Sequence, residues 1–429
     1  NLSCPSCRSE VIAANQAERD RIGAMQEAGI KPLLAQASLA MITGSGDPFA
    51  SKTFRQLLEW INPQTAPGLS IKLMTNGVLL DEREWQRFAG IHDKVIEIKV
   101  SIDGASAASH ELLRAGSDPV RVVCLGDSVT GVYYHTGGRR AYPEMVQVAL
   151  TRLYPNAPVE VFNAGISGNT TVDGLNRLDS DVLAHKPHFV TVMFGLNDMT
   201  RVPLEEFEAN LAAIIRRCRE AGAEVMLCTP NSVFETPERP IAKLTEYVDG
   251  VRRTCEQEHT PLVDCYAAYE AVRSEDPFKW LMMMSDEIHP NMAGHKLLAE
   301  IIAEAVSGEP VSLEREGPPQ PALPKTLALL KEGKPVRVYA MPPYDSLAPS
   351  ALKSIVPDAQ AEVTSWPVAG LTLPQLEESA KNVRDLKPDL VIVAVPIDAT
   401  ADSKEQAIQS YKWVLNYALS FAHQEWDCL

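Results

Sequence analysis

Short apolar runs of strand length alternate with segments of helical period along most of this chain. In the first 116 residues the strand-type runs lie at 38–43, 70–75 and 95–102, and helical patterns lie near 9–28, 51–61 and 81–89. From 119 to 307 the strand-type runs lie at 120–125, 159–163, 189–194, 224–228 and 262–264, and a last helix is expected at 293–306. Repeated β-α-β order predicts α/β architecture, with parallel sheets and helical crossovers.

The chain has 429 residues, which is too long for one ordinary core. We predict domains at 1–117, 118–308 and 335–429, with a proline-rich linker carrying one short helical stretch at 309–334. The last domain reads as a degenerate, truncated copy of the middle one. Val336-Arg337-Val338 repeats Val120-Arg121-Val122, and Lys387-Pro388 repeats Lys186-Pro187. The alternative is convergence, because α/β strands easily reach such patterns.

Composition narrows the classes of function. A formal charge of −16 repels phosphate backbones, so nucleic acid and anionic membrane surfaces are not expected partners. No apolar run approaches the roughly 18 residues that a membrane span needs. Six scattered cysteines read as buried free thiols, which favours a reducing, cytoplasmic location. The chain starts at Asn1 and its last helical pattern has no stop signal, so we expect natural termini beyond both ends. The oligomeric state is not predicted.

Four polar fragments of the middle segment fall at strand ends or in one loop. They are Gly126-Asp127-Ser128, Asn163-Ala164-Gly165, Gly195-Leu196-Asn197-Asp198 and Asp286-Glu287-Ile288-His289. The carboxyl ends of parallel strands meet at one edge of a sheet, where ligands collect. We therefore expect these fragments to form one site.

The residue types in these fragments suit acyl transfer. Ser128 is the candidate nucleophile, His289 the base that removes its proton, and Asp286 the group that orients the imidazole. The amides of Ser128 and Gly165 and the side-chain NH2 of Asn197 are candidate oxyanion donors. Glycine at 165 lets the backbone come close without a Cβ atom in the way.

These fragments resemble the SGNH (GDSL-type) hydrolase family, whose name lists its Ser, Gly, Asn and His. Ser128, Gly165, Asn197 and His289 stand in family order, and the resemblance covers nearly all of residues 119–307. It implies a flavodoxin-like parallel sheet flanked by helices. It also implies hydrolysis of a small-molecule, carbohydrate or lipid acyl ester without a metal or other cofactor.

Each fragment also has a structural interpretation when taken alone. A serine after a strand can cap a helix, and an Asn-Asp pair is an ordinary turn. A single histidine is more often packed or capping than catalytic. Only the joint occurrence in order favours catalysis. We interpret Asp127 and Asp198 as structural residues and expect His295 to be solvated.

The first segment carries a second set of motifs. Cys4-Pro5-Ser6-Cys7 suggests a soft-metal or iron–sulfur site, and Gly44, Gly46 and Asp47 lie in a glycine-rich loop after a strand. This set resembles radical SAM enzymes, whose Cys-x3-Cys-x2-Cys motif binds a [4Fe-4S] cluster that cleaves S-adenosylmethionine. Cys4 and Cys7 match the second and third cysteines. The first would precede Asn1, and the resemblance covers only part of a β/α barrel.

The leading hypothesis is therefore a serine esterase in the middle of the chain, with the first segment inactive as it stands. One alternative is a radical SAM iron–sulfur protein with a fused esterase domain, in which an intact first domain binds the cluster and S-adenosylmethionine. Another is a non-catalytic binding role for the C-terminal repeat. In that repeat Ile397 stands at the position that corresponds to Asn197, and no Asp-x-x-His motif follows it.

Overall fold

The computed structural model describes residues 16–42, 49, 52–75, 82–100, 119–155 and 157–429. They form two compact units. The first holds the described residues up to 120 with 150–159 and 303–311. The second holds 121–149, 160–302 and 312–429. Cys4, Cys7, Gly44, Gly46 and Asp47 lie outside the described residues. The iron–sulfur and S-adenosylmethionine interpretation therefore stays a prediction.

A three-stranded parallel sheet forms the core of the first unit, in the order β1-β2-β3. Its strands are β1 Leu39–Ile42, β2 Ser70–Thr75 and β3 Val95–Val100. The α-helices around it are α1 Gln16–Met25, α2 Lys31–Gln36, α3 Lys52–Trp60 and α4 Glu82–Arg87. Buried Ile71 and Leu73 of β2 pack with Phe88 and Ile91 in one apolar cluster. The β-α-β order predicted for this segment is confirmed, whereas the partial barrel stays a prediction.

The second sheet has five strands in the order β5-β4-β6-β7-β8. These are β4 Val120–Gly126, β5 Val159–Gly165, β6 Phe189–Met193, β7 Glu224–Cys228 and β8 Leu262–Val263. All five residues of β6 are buried, as expected for a central strand covered on both faces. The order is that of a flavodoxin-like sheet, and its switch point lies beside β4. The five predicted strands are thus confirmed to within two residues.

Helices flank this sheet. They are α5 Tyr142–Leu153, α6 Thr171–Asn176, α7 Leu178–Asp181, α8 Asp198–Arg201, α9 Leu204–Glu220, α10 Ile241–Glu258, α11 Cys265–Glu275, α12 Pro277–Met282 and α13 Met292–Ser307. Helix α9 shows why they pack as they do. Its buried side chains are Phe207, Leu211, Ile214, Ile215 and Cys218, which form one stripe of helical spacing.

The C-terminal segment builds a four-stranded parallel sheet in the order β10-β9-β11-β12. Its strands are β9 Val336–Ala340, β10 Ala361–Ser365, β11 Leu390–Ile392 and β12 Asp427–Cys428. Its helices are α14 Pro324–Lys331, α15 Tyr344–Ile355, α16 Leu373–Ala380, α17 Val383–Leu386 and α18 Lys404–Ala418. Helix α14 is the short helix expected within the proline-rich segment. Its Leu330 is buried in one apolar cluster with Val336 and Leu352, so this helix packs onto the sheet.

The structure bears on the expectations that the scattered cysteines are buried free thiols and that no segment spans a membrane. Cys124, Cys218, Cys228, Cys255 and Cys265 are buried free thiols, and Cys428 is partly buried and also free. No helix in the described ranges combines the length and apolar character that crossing a bilayer requires.

Candidate active site

Three predicted residues meet at the carboxyl edge of the five-stranded sheet. Ser128 Oγ lies 2.8 Å from Nε2 of His289. The other ring nitrogen, Nδ1, lies 2.8 Å from Asp286 Oδ2 and 3.0 Å from Asp286 Oδ1. Ser128 and His289 are partly exposed, whereas Asp286 is buried. A ligand can therefore reach the hydroxyl while the carboxylate stays shielded from water.

Ser128 is positioned by the turn that follows β4. The amides of Thr130 and Gly131 donate to the Asp127 carbonyl at 3.2 and 3.0 Å, and these bonds fold the chain back directly after the strand. A Cβ atom at Gly126 would lie 2.8 Å from the Met193 carbonyl oxygen of the neighbouring strand. Glycine is required there because a Cβ atom would collide with the end of the neighbouring strand.

The loop from Met284 to Pro290 holds Asp286 and His289 in one tight turn. Asp286 Oδ1 accepts from the amides of Ile288 at 2.9 Å and His289 at 2.7 Å. The Ser285 amide donates to the His289 carbonyl at 2.8 Å, which closes the turn. Burial by itself would raise the pKa of Asp286, but the His289 hydrogen bonds hold this pKa well below its ordinary value. Asp286 is therefore an ionised acceptor across the neutral pH range.

Asp127 and Asn197 form a polar pair beside the serine. Asn197 Nδ2 donates to Asp127 Oδ2 at 3.3 Å and to the Asn169 carbonyl at 3.0 Å. Asp127 Oδ1 accepts from the Val129 amide at 2.9 Å. Burial raises the pKa of Asp127 to about 6. The side chain of Asp127 thus links the turn after β4 to the turn after β6, as its structural interpretation expected.

Gly165 lies where the end of β5 meets the turn after the serine. A Cβ atom at 165 would be 2.2 Å from the Gly131 amide nitrogen, so no larger residue fits without moving that turn. Glycine thus permits a close approach to the Gly131 turn, whereas the approach of the Gly165 amide to an oxyanion stays a prediction. The Gly165 amide donates to Asn163 Oδ1 at 3.0 Å. This amide therefore has an acceptor within the protein.

Asp198 and His295 are two further buried polar residues of the second unit, and each accepts a hydrogen bond from a backbone amide. Asp198 Oδ1 accepts from the Thr171 amide at 2.8 Å and from its hydroxyl at 2.6 Å, so it fixes the start of α6 against the turn after β6. The expectation that His295 is solvated is wrong. His295 is buried, and its Nδ1 accepts from the Tyr142 amide at 2.9 Å. Helix α13 turns this side chain inward, and burial lowers the pKa of His295 to about 3.

Sequence reasoning missed two neighbours of the Asp286 carboxylate. The Tyr134 hydroxyl donates to Asp286 Oδ2 at 3.4 Å. His135 Nδ1 lies 3.6 Å from the same oxygen, and its ring stacks on that of His289 with centroids 3.7 Å apart. Burial, followed by the nearby His289, lowers the pKa of His135 far below its ordinary value, so His135 is neutral. The available signal was a Tyr-His pair in the loop directly after the candidate nucleophile.

Across the described ranges, His135, Asp286 and His289 form one group of ligand-type side chains tight enough to consider for a metal ion, with ligand atoms within 4.8 Å of one another. The two imidazole planes are only 18° from parallel. A nitrogen lone pair lies in the plane of its ring, so stacked rings direct their lone pairs side by side and not toward a common point. The two imidazoles therefore do not present a converging pair of ligands to one cation.

An apolar cavity of about 700 Å³ lies behind His135. Met282 and Met284 line it from the hydrolase segment, and Ile408, Leu415 and Leu419 line it from the C-terminal segment. Met284 is fully buried and Met282 is half exposed. Neither Ser128 nor His289 borders this cavity. We therefore do not assign it to the reacting acyl group.

Comparison with known proteins shows which family the middle of the chain is similar to. Residues 124–297 match the GDSL-like Lipase/Acylhydrolase family. An acetylxylan esterase of Geobacillus stearothermophilus is 30% identical over 181 residues, which are 39% of this chain and 81% of that protein. An arylesterase of Vibrio mimicus is 27% identical over 204 residues, covering 47% and 91%. A solved lipase/acylhydrolase from Enterococcus faecalis aligns with a TM-score of 0.38 and 28% identity, over 45% of this chain and 98% of its own.

The five-stranded parallel α/β sheet and the family match define the class as an SGNH-type hydrolase. Through the sequence matches, the chain belongs to the GDSL-like lipase/acylhydrolase family and is a hydrolase that acts on ester bonds. The family match covers residues 124–297 alone, so the resemblances noted for 1–116 and 335–429 stay predictions.

Proposed function

We propose that this protein hydrolyses a carboxylic ester with Ser128 as nucleophile, His289 as general base and Asp286 as the residue that orients the imidazole. The observation that carries the proposal is the continuous line of contacts from Ser128 Oγ to His289 Nε2 at 2.8 Å and from His289 Nδ1 to Asp286 at 2.8 Å. With the proton on Nδ1 held by the carboxylate, Nε2 is free to accept the serine proton.

The reaction then proceeds in two halves. His289 Nε2 takes the Ser128 proton as Oγ attacks the ester carbonyl, and a tetrahedral oxyanion forms. Its collapse breaks the bond to the alcohol, which leaves with the proton from His289, and an acyl-serine remains. Water repeats the sequence: His289 removes its proton, the carboxylic acid is released, and Ser128 regains its hydrogen. No cofactor is required by these steps.

The proposed oxyanion hole consists of the Ser128 amide, the Gly165 amide and Asn197 Nδ2. The last two donate to acceptors within the protein: Gly165 to Asn163, and Asn197 to Asp127 and Asn169. A bound oxyanion would therefore share or replace these bonds. Replacing the neutral amide oxygens of Asn163 and Asn169 favours the transition state, because a charged acceptor binds an N–H donor more strongly than a neutral amide oxygen does.

Acetylated carbohydrate is the substrate class that we test first. Two related proteins are named acetylxylan esterases, from Geobacillus stearothermophilus and Xylanibacter ruminicola. The related arylesterase makes an aryl acyl ester the alternative. Since both classes share the acyl transfer chemistry, the same residues serve either substrate.

The test compares hydrolysis of p-nitrophenyl esters of increasing chain length and of acetylated xylo-oligosaccharide by wild type and Ser128→Ala. We expect kcat to fall at least about a hundredfold, because nucleophile and base act as one unit. Ser354→Ala is the matched control, since this exposed hydroxyl bonds only to the Ala351 carbonyl of its own helix. Equal rates for wild type and Ser128→Ala would reject the mechanism.

We also infer that residues 335–429 are a degenerate repeat of the hydrolase sheet with a binding role in place of catalysis. Support comes from the register: Val122 pairs with Phe189 in one sheet and Val338 pairs with Leu390 in the other, as the repeated motifs align them. Lys186 and Lys387 have the same left-handed backbone, with φ of 48° and 44°.

The repeat carries no counterpart of the proposed catalytic groups in the described chain. Ile397, at the position of Asn197, is fully exposed. Ser346 Oγ donates to the Pro343 carbonyl at 2.7 Å, and Asp345 accepts from Ser365. This Asp-Ser pair therefore stabilises a helix start and has no imidazole partner among the described residues.

A further inference from the structure

The loop that carries Asp286 is held from outside the hydrolase sheet by helix α18 of the C-terminal segment. Ser285, the residue before Asp286, donates its hydroxyl to Asn416 Oδ1 at 2.8 Å. In return Asn416 Nδ2 donates to the Ser285 carbonyl at 3.0 Å. Both side chains are buried, so this two-point pairing is shielded from competing water.

Two more side chains of α18 bind the same loop region. Lys412 Nζ donates to the Leu281 carbonyl at 2.8 Å, and Gln409 Nε2 donates to the Glu287 carboxylate. Gln409, Lys412 and Asn416 are spaced by three and four residues, so they share one face of the helix. They contact the chain on both sides of Asp286, so this face of the helix holds the loop in place.

The loop after the nucleophile is held by the same segment. The Tyr134 amide donates to the Phe421 carbonyl at 3.1 Å, and the Arg384 guanidinium lies 4.9 Å from the centre of the Tyr134 ring. Tyr134 and His135 are the residues that contact Asp286 Oδ2. The C-terminal segment thus positions the surroundings of the carboxylate from two directions.

The pairing also orders protons around the carboxylate. Because the Ser285 hydroxyl donates to Asn416, its oxygen accepts from His135 Nδ1, which lies 3.4 Å away. Neutral His135 then carries its hydrogen on Nδ1, the atom that faces Asp286. An N–H in this place favours the ionised carboxylate, and the His135 ring supports His289 by stacking.

We propose that Asn416 is a positioning residue for ester hydrolysis and that the C-terminal segment is needed for full activity of the preceding hydrolase segment. The proposal rests on the function proposed above. Asn416 does not touch the reacting atoms. It acts through Ser285 and His135, and a small misplacement of a base and its orienting carboxylate costs up to about a hundredfold in rate.

The test uses the full chain with Asn416→Leu and Ser285→Ala, and with Val414→Ala as control. Val414 is buried in the apolar core of the C-terminal segment, two residues from Asn416. For Asn416→Leu we expect kcat to fall about tenfold to a hundredfold with KM within about twofold, and fluorophosphonate labelling of Ser128 to slow in parallel. Val414→Ala should lower the melting temperature and leave kcat unchanged.

Ser285→Ala keeps the carbonyl that accepts from Asn416 and loses only the hydroxyl, so it tests the same link should the leucine variant fail to fold. The double variant should lose no more activity than Asn416→Leu alone, because both changes break one connection. Folded variants with kcat within about twofold of wild type would overturn the proposal, as would an equal loss in Val414→Ala. Ser128→Ala is run in parallel: if it also keeps activity, the proposed function fails, and if it alone is inactive, only the role of Asn416 is refuted.

Discussion

Replacing Asp286 with asparagine removes one charge and nearly preserves the shape of the side chain. Asp286 Oδ1 faces two backbone donors, the amides of Ile288 and His289, at 2.9 and 2.7 Å. The amide oxygen of the variant will therefore take this position, since an NH2 group there would face two N–H groups. The new NH2 then occupies the Oδ2 position, 2.8 Å from His289 Nδ1.

An NH2 donor beside Nδ1 reverses the tautomer of the imidazole. The hydrogen moves to Nε2, which faces Ser128 Oγ at 2.8 Å and can no longer take its proton. By this reasoning kcat for p-nitrophenyl acetate falls by about 10⁴-fold, equivalent to about 5.5 kcal/mol of barrier. Nitrogen-15 NMR of the histidine ring should show the hydrogen transferred from Nδ1 to Nε2.

Asp276→Asn is the matched control. Asp276 Oδ1 caps helix α12 by accepting from the amides of Phe278 and Lys279, both at 3.0 Å, and asparagine caps equally well. This variant should keep wild-type kcat. If Asp286→Asn retained more than about a tenth of wild-type activity, a role for this carboxylate in fixing the tautomer would be refuted.

Two other predictions concern the turn after the nucleophile. Gly165→Ala should lower both kcat and the melting temperature, because the new Cβ atom would lie 2.2 Å from the Gly131 nitrogen. Gly68→Ala is the control and should change neither quantity, since nothing lies within 4 Å of a Cβ atom there. Wild-type activity in Gly165→Ala would contradict this packing argument. Burial raises the folded-state pKa of Asp127 to about 6, above its unfolded value. Wild type should therefore lose about 3 kcal/mol of stability as pH rises from about 3 to 7, because the folded state gives up a proton that the unfolded state has already lost. Urea unfolding should show Asp127→Asn gaining that amount relative to wild type over this interval, and a pH-independent difference would contradict the burial argument.

The sequence was most informative where a local pattern has one physical solution. Strands β4 to β8 were predicted within two residues, because a central strand covered on both faces reads as a short apolar run between helical patterns. The meeting of Ser128, Asp286 and His289 also followed from the sequence. Parallel strands present their carboxyl ends at one edge, and Asp286 lies one turn from His289.

The residues that surround Asp286 followed from no local pattern. No motif in the sequence marks His135 or Asn416, and His295 was expected in solvent but is buried. Sequence by itself determined the periodicity, the strand positions and the chemical groups at one edge, since these depend on near neighbours and on strand direction. The sheet order was implied only by the family resemblance. Only tertiary packing decided which distant side chains touch that edge. Asn416 and Ser285 are 131 residues apart in the chain, and their contact depends on how helix α18 packs against the loop that carries Asp286.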